Sequence, residues 1–494
     1  MANPGNIITT TVNRFDGGIV PDTRENITNT AGLVKHFDIF TRKSSLTPHR
    51  GIQSGNDDQV TQGIRKMIYY NDKVYGLGVT PSPNKVYTNS DITNDTWAAL
   101  NNGAPSTGTL SPNVFVEYQD FGYGWNGTSG IFKVDLSGVT SFVDVEQAIS
   151  GGVGVQGLVH SKDDILYMPY NLSGQGKIAT KNSSTWNTTA LTLPKNRLVT
   201  SICEYGNFLA IATKPFYSGN SVVYLWDRDS SLTTLSESLD FGSEDLEILE
   251  EIDGYLIGIG TVASSVSIKP RIVFRRYGGA GDAVVFKEIE TASGASLREK
   301  FKVSNRLYFL LSATIDGVVQ RGVWSVSRSS PTSEFAVVFS HDPVAAGGTA
   351  VSSLQNFILI GDYMFVSYTD GTDTMSRTAS ITTLFNVTSV YESMIFSDKT
   401  PSQKKQLKGV SVSTAPLPTA GQIVLKYRKD EETDWTTIFT EATDDSVSHS
   451  AVNIESDGSA LPEYKEIQFR IESTGGAVIT ELTFDSVITG KRAY

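Results

Sequence analysis

The sequence predicts an all-β protein: a β-propeller of about seven blades followed by a small C-terminal β-sandwich, with an extended N-terminal arm. Three observations carry this. A strand–turn–strand unit recurs about every 48 residues through the middle of the chain, and repeats of that length built from strands are the signature of propeller blades. The composition is rich in β-branched and aromatic residues, with 44 Gly among 494 residues to supply turns. Helical periodicity is nearly absent. Its best candidate, the acidic run Ser243–Glu251, reads instead as a blade strand with one solvated face.

The cleanest repeat is Met67-Ile-Tyr-Tyr-Asn-Asp-Lys-Val-Tyr-Gly-Leu-Gly-Val79, a strand, a polar turn and a second alternating strand. Taking the first apolar residue after each turn gives the anchors Val74, Tyr123, Ile165, Phe208, Tyr255, Leu307 and Tyr363, spaced 42 to 56 residues apart. Each unit continues into a further alternating segment, as in Lys85–Ser90, Lys177–Lys181, Val222–Trp226, Arg271–Arg275 and Gly322–Val326. Such alternation suits strands with one exposed face. The propeller therefore spans 61–400.

Residues 1–60 show no sustained period, only Gly17-Gly18, Pro21, Pro48 and polar turns. A segment of this kind cannot bury enough apolar surface by itself, so it is expected to wrap a neighbouring surface as an assembly arm. Residues 401–494 change pattern again. Gln422–Arg428, Trp435–Phe439, Lys465–Ile471 and Val478–Phe484 alternate well and suggest a sandwich, with Ile467, Phe469 and Ile471 inward and Gln468 and Arg470 outward. Gln403–Lys408, the densest basic patch, reads as a solvated linker between the two domains.

A net charge of −12 and a pI near 5.0 argue against a nucleic-acid backbone or an anionic membrane as main partner. The single cysteine, Cys203, rules out an internal disulfide framework and reads as a buried small residue. Met1-Ala-Asn-Pro-Gly-Asn-Ile has neither the charged nor the apolar region of a signal peptide. No segment reaches the roughly 18 apolar residues of a membrane helix.

No constellation specifies a chemistry. Gly152-Val-Gly-Val-Gln-Gly157 matches a dinucleotide fingerprint by letter but leads into a strand and turn, so it reads as a loop between blades. His36, His49, His160, His341 and His449 lack metal-binding spacing. Asp227-Arg-Asp229 and Asp370-Gly-Thr-Asp373 carry oxygen ligands suited to calcium, although such residues more often bond their own turns. Ser90-Asp-Ile-Thr-Asn-Asp-Thr-Trp97 faintly resembles the Asp-box turn of sialidase blades but lacks its Gly. Trp97, Trp186, Trp226 and Trp324 are expected between blades rather than on sugars. No catalytic residue, cofactor or metal ligand is assigned.

One resemblance points to a family. Asn13-Arg-Phe-Asp-Gly-Gly-Ile-Val-Pro-Asp-Thr-Arg24, then Val34-Lys-His-Phe-Asp-Ile39 and Leu46-Thr-Pro-His-Arg-Gly51 resemble the opening of tailed-bacteriophage virion proteins, including the tail-nozzle proteins of short-tailed phages. His49 interrupts the family's Pro-Arg turn. The resemblance implies a non-enzymatic structural protein of the virion tail, assembled in the bacterial host cytoplasm. Its partners would be other virion proteins and further copies of itself, with no direct nucleic-acid contact and no membrane insertion. The assembly arm would act through Phe15, Gly17, Gly18, Asp22, Arg24, Phe37, Pro48 and Arg50. A tail protein that binds a host-surface receptor or glycan is the first alternative, and a glycan-degrading propeller enzyme the second.

Overall fold

The computed structural model describes residues 7–19, 31–42, 44–49, 52–54, 63–79, 85–90, 97–99, 110–127, 129–137, 142–231, 235–265, 268–315, 317–341, 351–361, 363–370, 376–381, 388–397, 403–455 and 458–489. Among these every regular element is a strand. The chain divides into a unit of residues 52–322 and 346–381 and a unit of residues 1–51, 323–345 and 382–494.

The first unit is a β-propeller. Its blades are antiparallel sheets in which consecutive strands pair in sequence order. The second strand of each begins at or within two residues of a predicted anchor: Lys73, Phe121, Ile165, Phe208, Tyr255, Arg306 and Tyr363. The first strands face a common axis. They run Gly63–Tyr70 (blade 1), Leu110–Tyr118 (blade 2), Val153–Gly154 with Leu158–His160 (blade 3) and Arg197–Tyr205 (blade 4). Asp245–Ile252 (blade 5), Ser296–Val303 (blade 6) and Val351–Ile360 (blade 7) complete the set. Apolar side chains fill the space between blades. Tyr75, Leu77 and Val86 of blade 1 cluster with Phe115 and Phe132 of blade 2, while Tyr118, Tyr123 and Trp125 meet Leu166, Met168 and Tyr170 of blade 3.

Blade 7 is completed from the other end of the sequence. Ile52–Ser54 pairs antiparallel with Ser376–Ile381, Ile52 opposite Ile381. Backbone pairing thus joins the segment before blade 1 to the last blade, so the ring closes with hydrogen bonds rather than packing alone.

Among the described residues the second unit holds two large sheets and a two-stranded ladder of Phe37–Asp38 with Thr47–Pro48. In one large sheet, Ile7–Val12 pairs with Ile479–Ile488, which pairs with Lys405–Thr414 and then Ser448–Val452. In the other, Val323–Ser327, Ala336–His341, Ala31–Lys35, Ser389–Ser393, Ile467–Thr474, Gln422–Lys429 and Thr436–Glu441 lie in that order. Phe484 of the first sheet meets Phe469 of the second at 4.8 Å and Phe396 at 5.0 Å between ring centres. Aromatic contacts at such distances join the two faces of a sandwich core.

This architecture corrects several expectations. Residues 1–60 are no free arm: Ile7–Val12 and Ala31–Lys35 belong to the two large sheets, Phe37–Asp38 and Thr47–Pro48 pair with each other, and Ile52–Ser54 belongs to the propeller. The sandwich is not confined to 401–494 but draws on three stretches of chain. Gln403–Lys408 is no solvated linker, because Lys405 opens a strand and is fully buried, donating from Nζ to the Lys465 carbonyl at 2.6 Å. Ile467, Phe469 and Ile471 face the core as expected. Gln468, however, is buried on the opposite face, donating to the Ser393 carbonyl at 2.7 Å.

The residues assigned to the arm are fold determinants where the structure describes them. Phe15 is buried edge-on against Tyr391 at 5.3 Å. Gly17 turns the chain, and Gly18 follows at φ +68°, where an added Cβ would lie 2.8 Å from the Ala336 Cβ and 2.9 Å from the Val337 nitrogen. Phe37 is buried and pairs with Pro48 across a two-residue ladder. Asp22, Arg24 and Arg50 lie outside the described residues. Gly18→Ala combines a left-handed backbone with a steric clash. It is expected to destabilise the sandwich unit by about 2 kcal/mol or more, read as a lower urea midpoint.

His36 sits at the same junction. Its backbone nitrogen donates to Phe339, and its carbonyl accepts from His49 N at 2.7 Å and Ser389 Oγ at 3.0 Å. The ring is fully buried, and among the described residues neither nitrogen has a hydrogen-bond partner. Burial first, then the charges of Lys35 and His49, holds its pKa well below the ordinary value. Between the ordinary value of about 6.5 and the lower folded one, the unfolded chain takes up a proton that the folded chain refuses. Stability is therefore expected to fall as pH drops below about 6.5. His36→Asn, which tolerates the positive φ at this position, should flatten that slope in melts taken between pH 7 and 5.

Candidate functional site

The innermost strand of each blade has no strand beside it on the axial side, so its outer backbone groups need other partners. Side chains of neighbouring blades supply them. Asn356 of blade 7 accepts from Met67 N of blade 1 at 3.1 Å. Gln156 of blade 3 bonds both the nitrogen and the carbonyl of Phe115 in blade 2, at 3.2 and 3.1 Å. Asn171 of blade 3 does the same for Val199 of blade 4, at 2.8 and 2.9 Å. Ser201 of blade 4 accepts from Leu249 N of blade 5 at 3.3 Å.

A second regularity follows the first. The pairing of the inner strand with the second strand slips by one residue in blades 1, 4, 5, 6 and 7. The residues left unpaired near mid-strand are Arg65, Thr200, Glu247, Glu299 and Gln355. In blade 3, Gln156 occupies the corresponding gap between two short strands. A bulge re-aims its extra side chain, and all six of these line an axial cavity of 990 Å³. The cavity is a ring of re-aimed polar side chains, with Met67, Phe301 and Phe357 among its apolar walls.

Ion pairs cross this space. Lys66 of blade 1 is paired with Glu299 of blade 6, passing over blade 7, and both side chains are nearly buried. Lys300 of blade 6 meets Glu250 of blade 5 at 2.9 Å and donates to the Ile202 carbonyl of blade 4 at 2.7 Å. Two carboxyls lining the cavity have no lysine of their own at that range. Burial pushes the Glu247 pKa up, against a hydrogen bond from Thr261 Oγ1 at 3.1 Å and the charge of Lys214. Burial likewise raises Glu117, partly offset by the Asp120 backbone N–H. The arrangement can hold a polar ligand by hydrogen bonds and place charge against it.

Sequence reasoning did not find this ring. It placed Glu247 and Glu250 on a solvated face, but that strand is the axial strand of blade 5 and both residues face cavities along the axis. The Gly152–Gly157 stretch is no loop between blades: it holds Val153–Gly154, the first half of blade 3's split inner strand, and the gap before Leu158–His160. Gly154 leaves room for the Trp125 ring, 2.6 Å from where a Cβ would stand. Asp227 and Asp229 bond their own turns, the Asp227 carboxylate accepting from Asp229 N at 3.1 Å. Of the Asp370–Asp373 turn, residues 371–373 lie outside the described residues. Among those residues no group of three His, Cys, Asp or Glu is placed to hold a metal ion. Cys203 is buried, and burial drives its thiol pKa up. Trp97 and Trp226 are buried in blade clusters, whereas Trp324 belongs to the sandwich unit and stacks on Phe339 at 5.0 Å.

No protein-family profile matches the chain, and no curated protein matches it in sequence. Solved structures do align with it. YCF48 bound to D1 peptide does so at TM-score 0.45 and 10% identity, over 71% of this chain and 98% of that one. The catalytic domain of a Coprinopsis cinerea GH62 α-L-arabinofuranosidase aligns at TM-score 0.30 and 9% identity, over 55% of this chain and 92% of that one. A glycoside hydrolase aligns at TM-score 0.28 and 11% identity, over 87% and 99%. The propeller assignment rests on this chain's own strand pairing.

Removing one member of the crossing pair strands the other in a nearly dry site. Lys66→Met is expected to cost about 3 kcal/mol or more, while Lys66→Met combined with Glu299→Gln should regain much of that loss. Thermal melting of the two variants against the parent reads the difference.

Proposed function

We propose that the chain is a non-enzymatic structural component of a tailed-bacteriophage virion, a tail or tail-associated protein that docks to other virion proteins and to further copies of itself. The reading rests on the N-terminal resemblance, and one observation carries it further. The quoted succession is spent on the body of the protein, with Phe15, Gly18 and Phe37 at buried positions that tie the start of the chain to residues more than 300 positions later. A motif used in this way belongs with an architecture and not with a detachable tether. Docking then falls to the outer faces of the folded units, in place of the arm.

Ile7–Val12 pairs with Ile479–Ile488, so the first described strand is tied into a sheet and does not serve as a tether. Inside the propeller, Glu299 and Glu250 are held by lysines, which speaks for rigidity over catalysis. The reading as a receptor- or glycan-binding tail protein is favoured by a different observation, the axial cavity.

Gradient-purified particles from a strain producing the protein test the assembly reading. The chain is expected in tailed particles at a fixed multiple copy number that survives high-salt washing. Recovery only in the soluble fraction would overturn the reading. Release of reducing ends from host polysaccharide by that soluble protein would favour the enzyme in its place.

A further inference from the structure

We propose that the axial cavity of the propeller is a binding site for a carboxylated saccharide, with Arg65 and Arg298 holding the carboxylate and the bulge side chains holding the hydroxyls. The site goes beyond the assembly reading and does not depend on it.

The charges lining the cavity divide into spent and unspent. Lys66 is committed to Glu299, and Lys300 to Glu250 and two backbone carbonyls. Lys214 lies 3.5 Å from Asp245. Arg65 makes no hydrogen bond or ion pair among the described residues, while Arg298 reaches Gln355 Oε1 at 3.4 Å and lends part of its charge to Glu247. Arg65, Gln355 and Arg298 stand on the inner strands of blades 1, 7 and 6, which are consecutive around the ring. A guanidinium on the inner strand to either side of that amide supplies the planar donors that a carboxylate takes.

The remaining lining narrows the ligand. Glu117 and Glu247 face the same space, and a dianion such as a phosphate ester would feel their repulsion more than a single carboxylate would. Both can accept hydrogen bonds from hydroxyls, as can the carbonyl oxygen of Gln355. Thr200 adds a hydroxyl, whereas the Gln156 amide is already taken up by Phe115 and Gly157. A ring of side chains that both donate and accept matches a polyol better than a flat base or an apolar molecule. Phe301, half-buried in the wall, offers apolar surface to the C–H face of a pyranose. The volume of 990 Å³ falls at the upper end of small-molecule sites. The bulges also explain why five of these polar residues face the axis at all, and the break in blade 3's inner strand does the same for Gln156: regular pairing would turn them toward neighbouring blades.

The test is isothermal titration of the full chain with oligogalacturonate and oligoglucuronate, and with uncharged gluco-oligosaccharides of equal length. The acidic probes should bind and the neutral ones bind far more weakly. Arg65→Ala and Arg298→Ala should each lower affinity for the acidic probes about tenfold, the factor for one charge-assisted hydrogen bond. Melting temperature should stay unchanged for Arg65→Ala and fall only slightly for Arg298→Ala, which gives up one long bond to Gln355. No heat with any acidic probe at millimolar concentration would overturn the site, as would equal affinity for neutral probes or affinity indifferent to both substitutions. Incorporation of Arg65→Ala into particles reads the assembly role separately.

Discussion

Every blade must end somewhere at the axis, and the strand that ends it exposes a row of amide and carbonyl groups with nothing alongside. In an open sheet, water would solvate that edge. Around a propeller axis the edges converge, and the chain solves the problem twice over. Amide and hydroxyl side chains from the adjacent blade take up the stranded backbone groups, as Gln156 does for Phe115 and Asn171 for Val199. A one-residue slip in most inner strands then turns a polar side chain toward the axis. Holding the ring together and lining its cavity are therefore one construction.

The crossing ion pairs belong to the same construction. Lys66 with Glu299, and Lys300 with the Ile202 carbonyl, link blades that have one blade between them around the ring, while Lys300 with Glu250 joins neighbours. Partly buried charges of this kind contribute little net stability compared with apolar replacements, but they penalise any displacement that parts them. They fix the angle between blades, a property that sheet-on-sheet packing of apolar side chains specifies only loosely. A cavity lined by bulges needs that fixity, because its six polar residues come from six separate stretches of chain.

Much of the propeller was legible because a blade's second strand is local. It follows a tight turn and alternates cleanly, so Val74, Ile165, Phe208 and Tyr255 announce themselves within ten residues. The inner strands were harder. A slip in mid-strand breaks the two-residue alternation, which is why Arg65, Thr200 and Glu247 looked unremarkable and the axial strand Asp245–Ile252 passed for a solvated one. The N-terminal segment was misread for a related reason. Thr9 bonds Asp485, Phe15 meets Tyr391 and Leu46 pairs with Ile479, so nothing within a local window reports their burial. The alternation of Ile and Thr in Ile7–Val12, and Phe15 and Ile19 around a Gly pair, were the signals available. They marked strands whose partners stand hundreds of residues away.

That separation has a consequence for how the protein comes off the ribosome. The chain passes from the sandwich unit to the propeller, back, again to the propeller and finally back to the sandwich. Ile52–Ser54 emerges early, yet the strand it joins ends at Ile381, about 330 residues later. At typical synthesis rates that strand waits roughly 15 to 65 s for its partner, and Ile7–Val12 waits longer still for Ile479–Ile488. Throughout that interval the nascent chain carries unpaired strand edges at its leading end and partly stacked blades behind them. Its yield in a cell is thus set by a race between elongation and edge-to-edge association, and slower translation lengthens the exposure.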